Sequence, residues 1–160
     1  EGELWLVGPT GTEMGASLVS RTFGCAEGAL PPVDFATLVP RMEALVTAIA
    51  EGEVVACHDL SAGGLAVALA EMCLSGNGAA VELPSGPETM VTLFSETPGR
   101  WLVQVAPDCE AHFAKRFDCA ERLGTPAGEL RVTRDGETLL SLAPAALRAA
   151  WEAPLTERLA

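Results

Sequence analysis

The stretch VVACHDLSAGGLAVALAEMC, residues 54–73, decides the fold of this chain. Its first four residues, Val54–Cys57, are apolar and suit a strand, so they predict a buried strand. A short polar loop follows, and two glycines then open a segment with apolar residues at helical spacing, which predicts a helix over Gly63–Leu74. Glu71 is the one charged residue in that helix, so we expect the helix to be covered on more than one side. Gly76 is predicted to end it.

Outward from this stretch, Asp34 is the predicted N-cap of a longer helix. Because Pro40 suits a first turn, we expect the helix proper to begin near Val39 and to close at Gly52. Its predicted apolar stripe recurs every three or four residues and consists of Leu38, Met42, Leu45 and Ile49.

Apolar runs and turn residues predict the remaining elements. Strands are expected at residues 4–7, 79–83, 101–106, 119–124, 129–133 and 137–142, and helices at residues 11–23, 107–117 and 144–151. Residues 90–94 suit a helix or a strand equally. Asp135 and Gly136 predict a hairpin turn. The mixture of elements predicts an α+β fold, in which helices pack on a mixed β-sheet.

The composition excludes several classes of function. Ten Lys and Arg against 22 Asp and Glu give a net charge of −12, which argues against unaided nucleic-acid binding. No apolar run approaches the roughly 20 residues that cross a bilayer. With 49 % hydrophobic and 20 % charged residues, the chain has the apolar content to fold as one domain over residues 1–160. It begins at Glu1 and enters a strand almost at once, so we expect a domain excised from a longer multi-domain chain.

Cysteines and aromatic residues give two further expectations. The five cysteines, at positions 25, 57, 73, 109 and 119, form an odd set without a C-x-x-C motif, which argues against a disulfide framework or a structural zinc site. We therefore expect reduced, mostly buried thiols in a cytoplasmic protein. Aromatic residues make up 5 % of the chain, so we expect an aliphatic core.

The junction between the strand and the helix of residues 54–73 is the candidate binding site. Backbone N–H groups at the helix start could hold an anion near Gly63 and Gly64, and Ser61 could cap the helix or donate to a phosphate. Asp59 is placed to bind a hard cation such as Mg²⁺. A plain helix cap explains the same residues, and no G-K-[ST] sequence marks a phosphate loop.

Other polar residues are less informative. Cys57, His58 and Asp59 are consecutive in a strand and point to alternate faces, so they do not predict a catalytic triad. His112 has no evident partner in the sequence. The Gly- and Thr-rich segment 8–20 suits either a phosphate or a loop that enters a helix. Ser95, Glu96 and Thr97 suit either a binding loop or a polar turn bonded to its own backbone.

Two motifs together resemble one enzyme family: HDLSAGGLAVALAEM at residues 58–72 and LFSETPGR at residues 93–100. They resemble the last domain of phosphoribosylformylglycinamidine (FGAM) synthase, and the resemblance covers roughly residues 4–145. The first motif alone is shared with a wider superfamily that includes aminoimidazole ribonucleotide synthetase, selenophosphate synthetase and thiamine-monophosphate kinase. The resemblance implies a fold like the aminoimidazole ribonucleotide synthetase C-terminal domain.

The resemblance also implies a function: part of an ATP-dependent ligase of purine biosynthesis that receives ammonia from a glutaminase. In large members of that family the corresponding half holds a structural ADP with Mg²⁺, which implies Asp59 as a metal ligand and Ser61 as a phosphate contact, beside the predicted contacts of Gly63 and Gly64. Ser95, Glu96 and Thr97 would form a substrate loop. Two departures weaken these roles, because Ala62 replaces a frequent Asp and Pro98 offers no amide or backbone N–H.

We expect the isolated chain to be inactive, with the remaining domains of the synthase and a glutaminase as its partners. A stand-alone interaction module, in which the glycine-rich loop is only a helix cap, is an alternative. Another is a domain of a related synthetase or kinase. The apolar helix 63–74 suggests a missing cover, so the isolated domain could form a homodimer to hide it.

Overall fold

The computed structural model describes residues 2–24 and 28–159, with side chains described up to residue 154, so the prediction for Cys25 lies outside the described residues. Within them the chain forms strands β1 (Glu3–Val7), β2 (Val54–Asp59), β3 (Gly78–Glu82), β4 (Trp101–Val105), β5 (Ala120–Ala127), β6 (Leu130–Arg134) and β7 (Glu137–Leu142). The helices are α1 (Leu18–Thr22), α2 (Phe35–Ala50), α3 (Gly64–Met72), α4 (Thr89–Phe94), α5 (Glu110–Arg116) and α6 (Pro144–Leu159). A 3₁₀ turn, Cys73–Ser75, extends α3.

The seven strands form one sheet in the order β2-β4-β1-β5-β3-β6-β7. All neighbours are antiparallel except β3 and β6, which run parallel. The predicted mixed sheet is therefore confirmed.

Strand β1, third in the order of the sheet, separates two apolar cores. Leu4 and Leu6 point into one core, whereas Trp5 and Val7 point into the other. The first core lies under α3 and includes Leu65. The second lies under α2 and α5. Helices therefore cover both faces of the sheet, as the α+β expectation requires.

The expectation of an aliphatic core is correct for one face only. The core beneath α3 contains aliphatic side chains and Cys73. On the opposite face Phe113 packs edge-on against Trp5, at 5.9 Å between ring centroids, and against Phe117 at 4.9 Å. This core thus contains Trp5, Phe113 and Phe117, and Trp101 packs against it.

Helix α2 begins earlier than predicted. The Asp34 carboxylate accepts from the Ala36 N–H at 3.0 Å, which confirms the N-cap, and the Asp34 carbonyl accepts from the Leu38 N–H at 2.9 Å. The first turn therefore closes before Pro40, which lies inside the helix. The predicted apolar stripe is also wrong in part: Leu45 is buried, but Met42 is 48 % and Ile49 45 % exposed.

Strand β2 is buried on fewer sides than predicted, because it forms an edge of the sheet and pairs only with β4 among the described strands. Cys57 is consequently exposed. Cys73 is buried, while Cys109 and Cys119 are half-buried, so the expectation of mostly buried thiols is wrong for the described cysteines, all four of which are free.

The remaining differences concern where helices begin and end. Ala16 adopts a φ of 59° and Ser17 caps α1, so the predicted helix over residues 11–23 is reduced to one turn and a half. Asp108, with a φ of 67°, delays α5 to Glu110. Residues 90–94 are helical, and α6 continues past residue 151. Across residues 2–24 and 28–159, no helix has both the length and the apolar character needed to cross a membrane.

Candidate phosphate and metal site

Three loops meet at one end of the sheet, and together they form the loop cluster: residues 8–17, residues 60–63 and residues 95–100. The strand register explains why they meet. Trp101, the first residue of β4, pairs with Val7 on one side and with Asp59 on the other. The ends of β1 and β2 therefore lie beside the start of β4, and the loops that adjoin them are neighbours.

The Glu96 carboxylate joins its own loop to the starts of α3 and α1. Its Oε1 accepts from the Gly63 N–H at 2.8 Å and from the Leu18 N–H at 2.7 Å. These N–H groups lie at the starts of α3 and α1, where helices leave donors unpaired and where the helix dipole favours a negative charge. The Gly63 N–H therefore already has an anionic acceptor within the chain, and a phosphate at this position stays a prediction.

The neighbouring hydroxyls reinforce this arrangement. Thr97 Oγ1 accepts from the Gly11 N–H at 3.0 Å and is hydrogen-bonded to Ser95 Oγ at 2.8 Å. Ser95 is fully buried. The predicted substrate loop therefore has internal partners for all three of its polar side chains, and a substrate contact by Ser95, Glu96 and Thr97 stays a prediction.

Gly64 is required by the close approach of the loop before β4. Its φ is 60°, and a Cβ at this position would lie 2.5 Å from the Ser95 carbonyl oxygen. Gly63 has a φ of 83°, and its Cβ would lie 2.2 Å from Val67 Cγ2. The Gly64 N–H donates to the Ser61 carbonyl at 3.0 Å. Both glycines have a role within the chain, and phosphate binding by them stays a prediction.

Arg100 is the residue that sequence reasoning missed. It is 1 % exposed, and its Nη1 donates to the Ser95 carbonyl at 3.1 Å, which fixes the loop that carries Glu96. Its Nε and Nη2 are buried and have no partner. Burial lowers the pKa of this guanidinium to about 10, against a smaller opposing effect of Glu121. The one signal in the sequence is an Arg immediately before an apolar strand.

Asp59, the last residue of β2 beside the loop cluster, and Ser61, within it, have polar side chains that are open to solvent. Asp59 has 68 % of its side chain exposed, and Ser61 is also exposed. One carboxylate and one hydroxyl suit Mg²⁺, which binds through one or two carboxylates while phosphates and water supply the other ligands. Among the described residues no three His, Cys, Asp or Glu side chains form a metal cluster. A site at Asp59 therefore needs phosphate oxygens from a bound nucleotide.

The absence of a triad at Cys57, His58 and Asp59 stays a prediction, and the closest polar contacts of the His58 ring lie elsewhere. The His58 Nδ1 donates to the Asp59 carbonyl at 2.6 Å, and its Nε2 lies 3.0 Å from the Glu71 carboxylate. The ring is thus held between a backbone oxygen and α3, and it makes no hydrogen bond to Cys57. Its contacts attach the end of β2 to α3.

A second charged cluster, at the start of β2, was not predicted. Glu53 is 5 % exposed, and its Oε1 lies 2.6 Å from Arg116 Nη2 and 2.6 Å from His112 Nδ1. The expectation that His112 lacks a partner is therefore wrong. Burial raises the pKa of Glu53, but hydrogen bonds from Arg116 and His112 offset that effect and leave the pKa below its ordinary value. Arg116 also pairs with the exposed Glu51.

Comparison with known proteins places these features in a family. The family model described as "AIR synthase related protein, C-terminal domain" matches residues 2–134. The chain is 44 % identical over 136 residues to phosphoribosylformylglycinamidine synthase subunit PurL of Parafrankia sp. (strain EAN1pec), covering 84 % of this chain and 17 % of that protein. The same subunit of Frankia casuarinae is 42 % identical over 85 % of this chain and 18 % of its own length. The chain thus spans less than a fifth of these curated relatives.

Solved structures show the same fold. PurL of Thermotoga maritima complexed with FGAR has a TM-score of 0.75 at 20 % identity, covering 92 % of this chain and 27 % of that chain. Its complex with ATP gives a TM-score of 0.67 over 92 % of this chain and 25 % of that one, and the T. maritima PurLQS structure gives 0.71 over 92 % and 26 %. At 19 % and 20 % identity these likenesses establish the fold alone.

Proposed function

We propose that this chain, which belongs to the family of AIR synthase related proteins, C-terminal domain, is the C-terminal domain of an FGAM synthase. That enzyme is an ATP-dependent ligase of purine biosynthesis, which converts formylglycinamide ribonucleotide into the amidine. The relatives at 44 % and 42 % identity carry the name of its PurL subunit. The chain would act in the cytoplasm, as one domain of a longer polypeptide.

The observation that carries the proposal is the loop cluster. Two motifs that lie more than 30 residues apart, at residues 58–64 and 95–100, are brought into direct contact by the Glu96–Gly63 hydrogen bond. This contact leaves Asp59 and Ser61 exposed on the same end of the sheet. Residues that share a motif, a surface and exposure to solvent suit one side of a ligand site.

Each residue of this surface has a distinct role in the proposal. Asp59 would bind the Mg²⁺ that accompanies a nucleoside diphosphate, and the Ser61 hydroxyl would donate to a phosphate oxygen. The backbone of Gly63 and Gly64 at the start of α3 would contact the phosphates. When bound by the whole enzyme, ATP supplies the phosphoryl group that activates the amide oxygen. This chain is acidic, so the metal ion and the backbone dipoles would neutralise the phosphate charge in place of Lys and Arg side chains.

The domain contributes structure and an auxiliary phosphate site, with catalysis on other domains. The described residues bring together no nucleophile and general base within hydrogen-bond reach at the loop cluster, where Glu96 is engaged by two N–H groups. The other domains of the synthase would complete the site. A glutaminase that supplies ammonia would be the partner, in line with the PurLQS assembly of the T. maritima relative.

The test uses the protein made from the complete reading frame that encodes this chain. After purification and incubation with formylglycinamide ribonucleotide, ATP, Mg²⁺ and an ammonium salt, this protein should form the amidine. The 160-residue chain alone should form none. Asp59→Asn should raise the Mg²⁺ concentration that the enzyme needs or weaken its binding of nucleotide. Asp135→Asn, in the β6–β7 turn, is the matched control. A complete reading frame without ligase activity would contradict the proposal, and so would amidine formation by the isolated chain.

A second candidate is a stand-alone interaction module, in which the glycine-rich loop is only a helix cap. The same Glu96 contact favours it, because the Gly63 N–H is already satisfied within the chain. The two candidates differ in the reading frame itself. A start codon directly before Glu1 favours the module, whereas a long upstream region with nucleotide-site motifs favours the synthase.

A further inference from the structure

Helix α2 has a row of large apolar side chains that faces solvent. Phe35 is 69 % exposed, Val39 45 %, Met42 48 %, Val46 65 % and Ile49 45 %. We refer to these five residues as the outer row of α2. Isolated apolar residues on a surface are ordinary, but a continuous row along a whole helix marks a contact surface.

The outer row is separate from the face by which α2 packs on the sheet. Leu45 and Ala48 are buried in the core beneath α2, together with Val54. The outer row has the spacing 4, 3, 4, 3, which is the a/d pattern of a helix that packs along another helix. The row therefore suits a helix as its occupant.

We infer that the occupant is the α2 helix of a second copy of this chain, packed antiparallel across a two-fold axis near Met42. The row is nearly symmetric about that residue: Phe35 and Ile49 each lie seven positions away, and Val39 and Val46 lie three and four away. An antiparallel copy therefore sets Phe35 of one protomer near Ile49 of its partner. A surface that is complementary to itself is what a two-fold dimer requires.

The area of the outer row is sufficient for such a dimer. Burying the exposed parts of its five side chains removes about 500 Å² per copy, or about 1,000 Å² from both copies, which reaches the lower limit of specific interfaces. Neighbouring residues on α2 would add to this area. The interface would be small and mainly apolar.

The charge of α2 is compatible with contact between two copies. The chain has a net charge of −12, so two copies repel each other over most of their surfaces. Helix α2, by contrast, contains one Arg and one Glu, Arg41 and Glu43, and is therefore neutral. Copies that meet through α2 bring together two helices of zero net charge, with Asp34 and Glu51 at their ends.

The inference replaces the earlier reason for expecting a homodimer. The apolar α3 is covered within the chain, because α4 packs against it and α6 packs against it and the following 3₁₀ turn. Leu65 and Leu69 of α3 are consequently buried. The uncovered apolar surface lies on α2 instead, on the opposite face of the sheet.

Sedimentation equilibrium on the 160-residue chain tests the inference with a matched pair of variants. The wild-type chain should be a dimer at tens of micromolar. Met42→Glu places two carboxylates at the two-fold axis and should raise the dimer dissociation constant at least about 100-fold. Met90→Glu is the control, since Met90 on α4 is 50 % exposed but outside the row, and it should leave the constant unchanged. Circular dichroism establishes that all three chains are folded.

A charge-pair rescue tests the antiparallel arrangement. Phe35→Lys and Ile49→Glu should each weaken the dimer, and the double variant should recover at least about tenfold of the loss, because each Lys then faces a Glu of the other copy. A monomeric wild-type chain at about 1 mM would overturn the inference and assign the row to a different partner. An M42E chain as dimeric as wild type, or a double variant without recovery, would overturn it as well.

Discussion

Two glutamates at opposite ends of β2 are stabilised in different ways. Glu53, just before the strand, is buried and is held by the side chains of Arg116 and His112. Glu96 lies by the loop that follows the strand, is half-buried, and is held by the backbone N–H groups of Leu18 and Gly63. One end of β2 therefore depends on charged side chains and the other on backbone dipoles.

The difference teaches how each end can be used. A side-chain cluster attaches α5 to the edge of the sheet and depends on the charges of its members. Backbone N–H groups at two helix starts do not titrate, and here they donate to the Glu96 carboxylate. The end that holds Glu96 is the one where we propose a phosphate site, whereas the contacts of Glu53 attach α5 to the sheet.

The largest effect is expected from a substitution at the loop cluster. Gly64→Ala places a Cβ 2.5 Å from the Ser95 carbonyl oxygen at a φ of 60° and should cost about 3–4 kcal/mol in the free energy of unfolding. Gly76→Ala is the control, because Gly76 has a φ of 106° but no atom within 4 Å of the added Cβ. It should cost about 1 kcal/mol. Urea denaturation measures both, and equal losses would show that the contact with the loop before β4 is absent.

The next largest effect is expected at the start of β2. Glu53→Gln removes the charge that faces Arg116 in a buried position, and it should cost about 2–3 kcal/mol. Glu51→Gln is the matched control, since Glu51 pairs with the same arginine but has 52 % of its side chain exposed. We expect the control to lose less than about 1 kcal/mol in urea denaturation at pH 7. A loss no greater for E53Q than for E51Q would contradict the role of the buried cluster.

A smaller effect is expected from removing the carboxylate at the loop end. Glu96→Ala leaves the Leu18 and Gly63 N–H groups without their acceptor, and water can replace it in part, so we expect a loss of about 1–2 kcal/mol. Glu88→Ala is the control, because Glu88 precedes α4 and its side chain makes no capping hydrogen bond. Thermal denaturation of the two variants should show a lower melting temperature for E96A alone. The same stability for both would mean that Glu96 does not hold the loops.

The smallest effect is a pH dependence that should separate the two glutamates. The pKa of folded Glu53 lies below its ordinary value of 4.5, so its stabilising effect is present above that value and is lost as the pH falls through the folded pKa. The difference in unfolding free energy between wild type and E53Q should therefore be full at pH 7 and smaller below pH 4.5. Urea denaturation across that pH range measures it. A difference that stays constant with pH would rule out the carboxylate charge as its cause.

Local sequence patterns predicted the elements that form the centre of the molecule. Apolar runs located β1 and β4, and the two glycines located the start of α3, because these features depend on neighbouring residues. The position of a strand at the edge of a sheet does not depend on neighbouring residues in the sequence. Strand β2 has the sequence of a buried strand, and only the order of strands shows that it is an edge strand with Cys57 exposed. The same limit applies to α2, whose apolar outer face cannot be told from a core face by periodicity.

The candidate site was predicted residue by residue, but its internal connections were not. Asp59, Ser61 and the glycines were identified from one junction, and Ser95–Thr97 from another. The acceptor of the Gly63 N–H lies 33 residues away, and that of the Leu18 N–H 78 residues away, so no local pattern reveals that Glu96 serves both. Arg100 was missed for the same reason, since its burial follows from packing between distant segments.

An NMR titration of the ¹⁵N-labelled chain with ADP and Mg²⁺ tests the central claim, that the loop cluster is a phosphate and metal site, most directly. The account predicts shifts of the amide signals of residues 59–64 and 95–97, no comparable change around Glu53, and loss of the response without Mg²⁺ or in D59N. D135N should respond as wild type does. An unchanged spectrum at millimolar ADP with Mg²⁺, or an undiminished response in D59N, would contradict the claim.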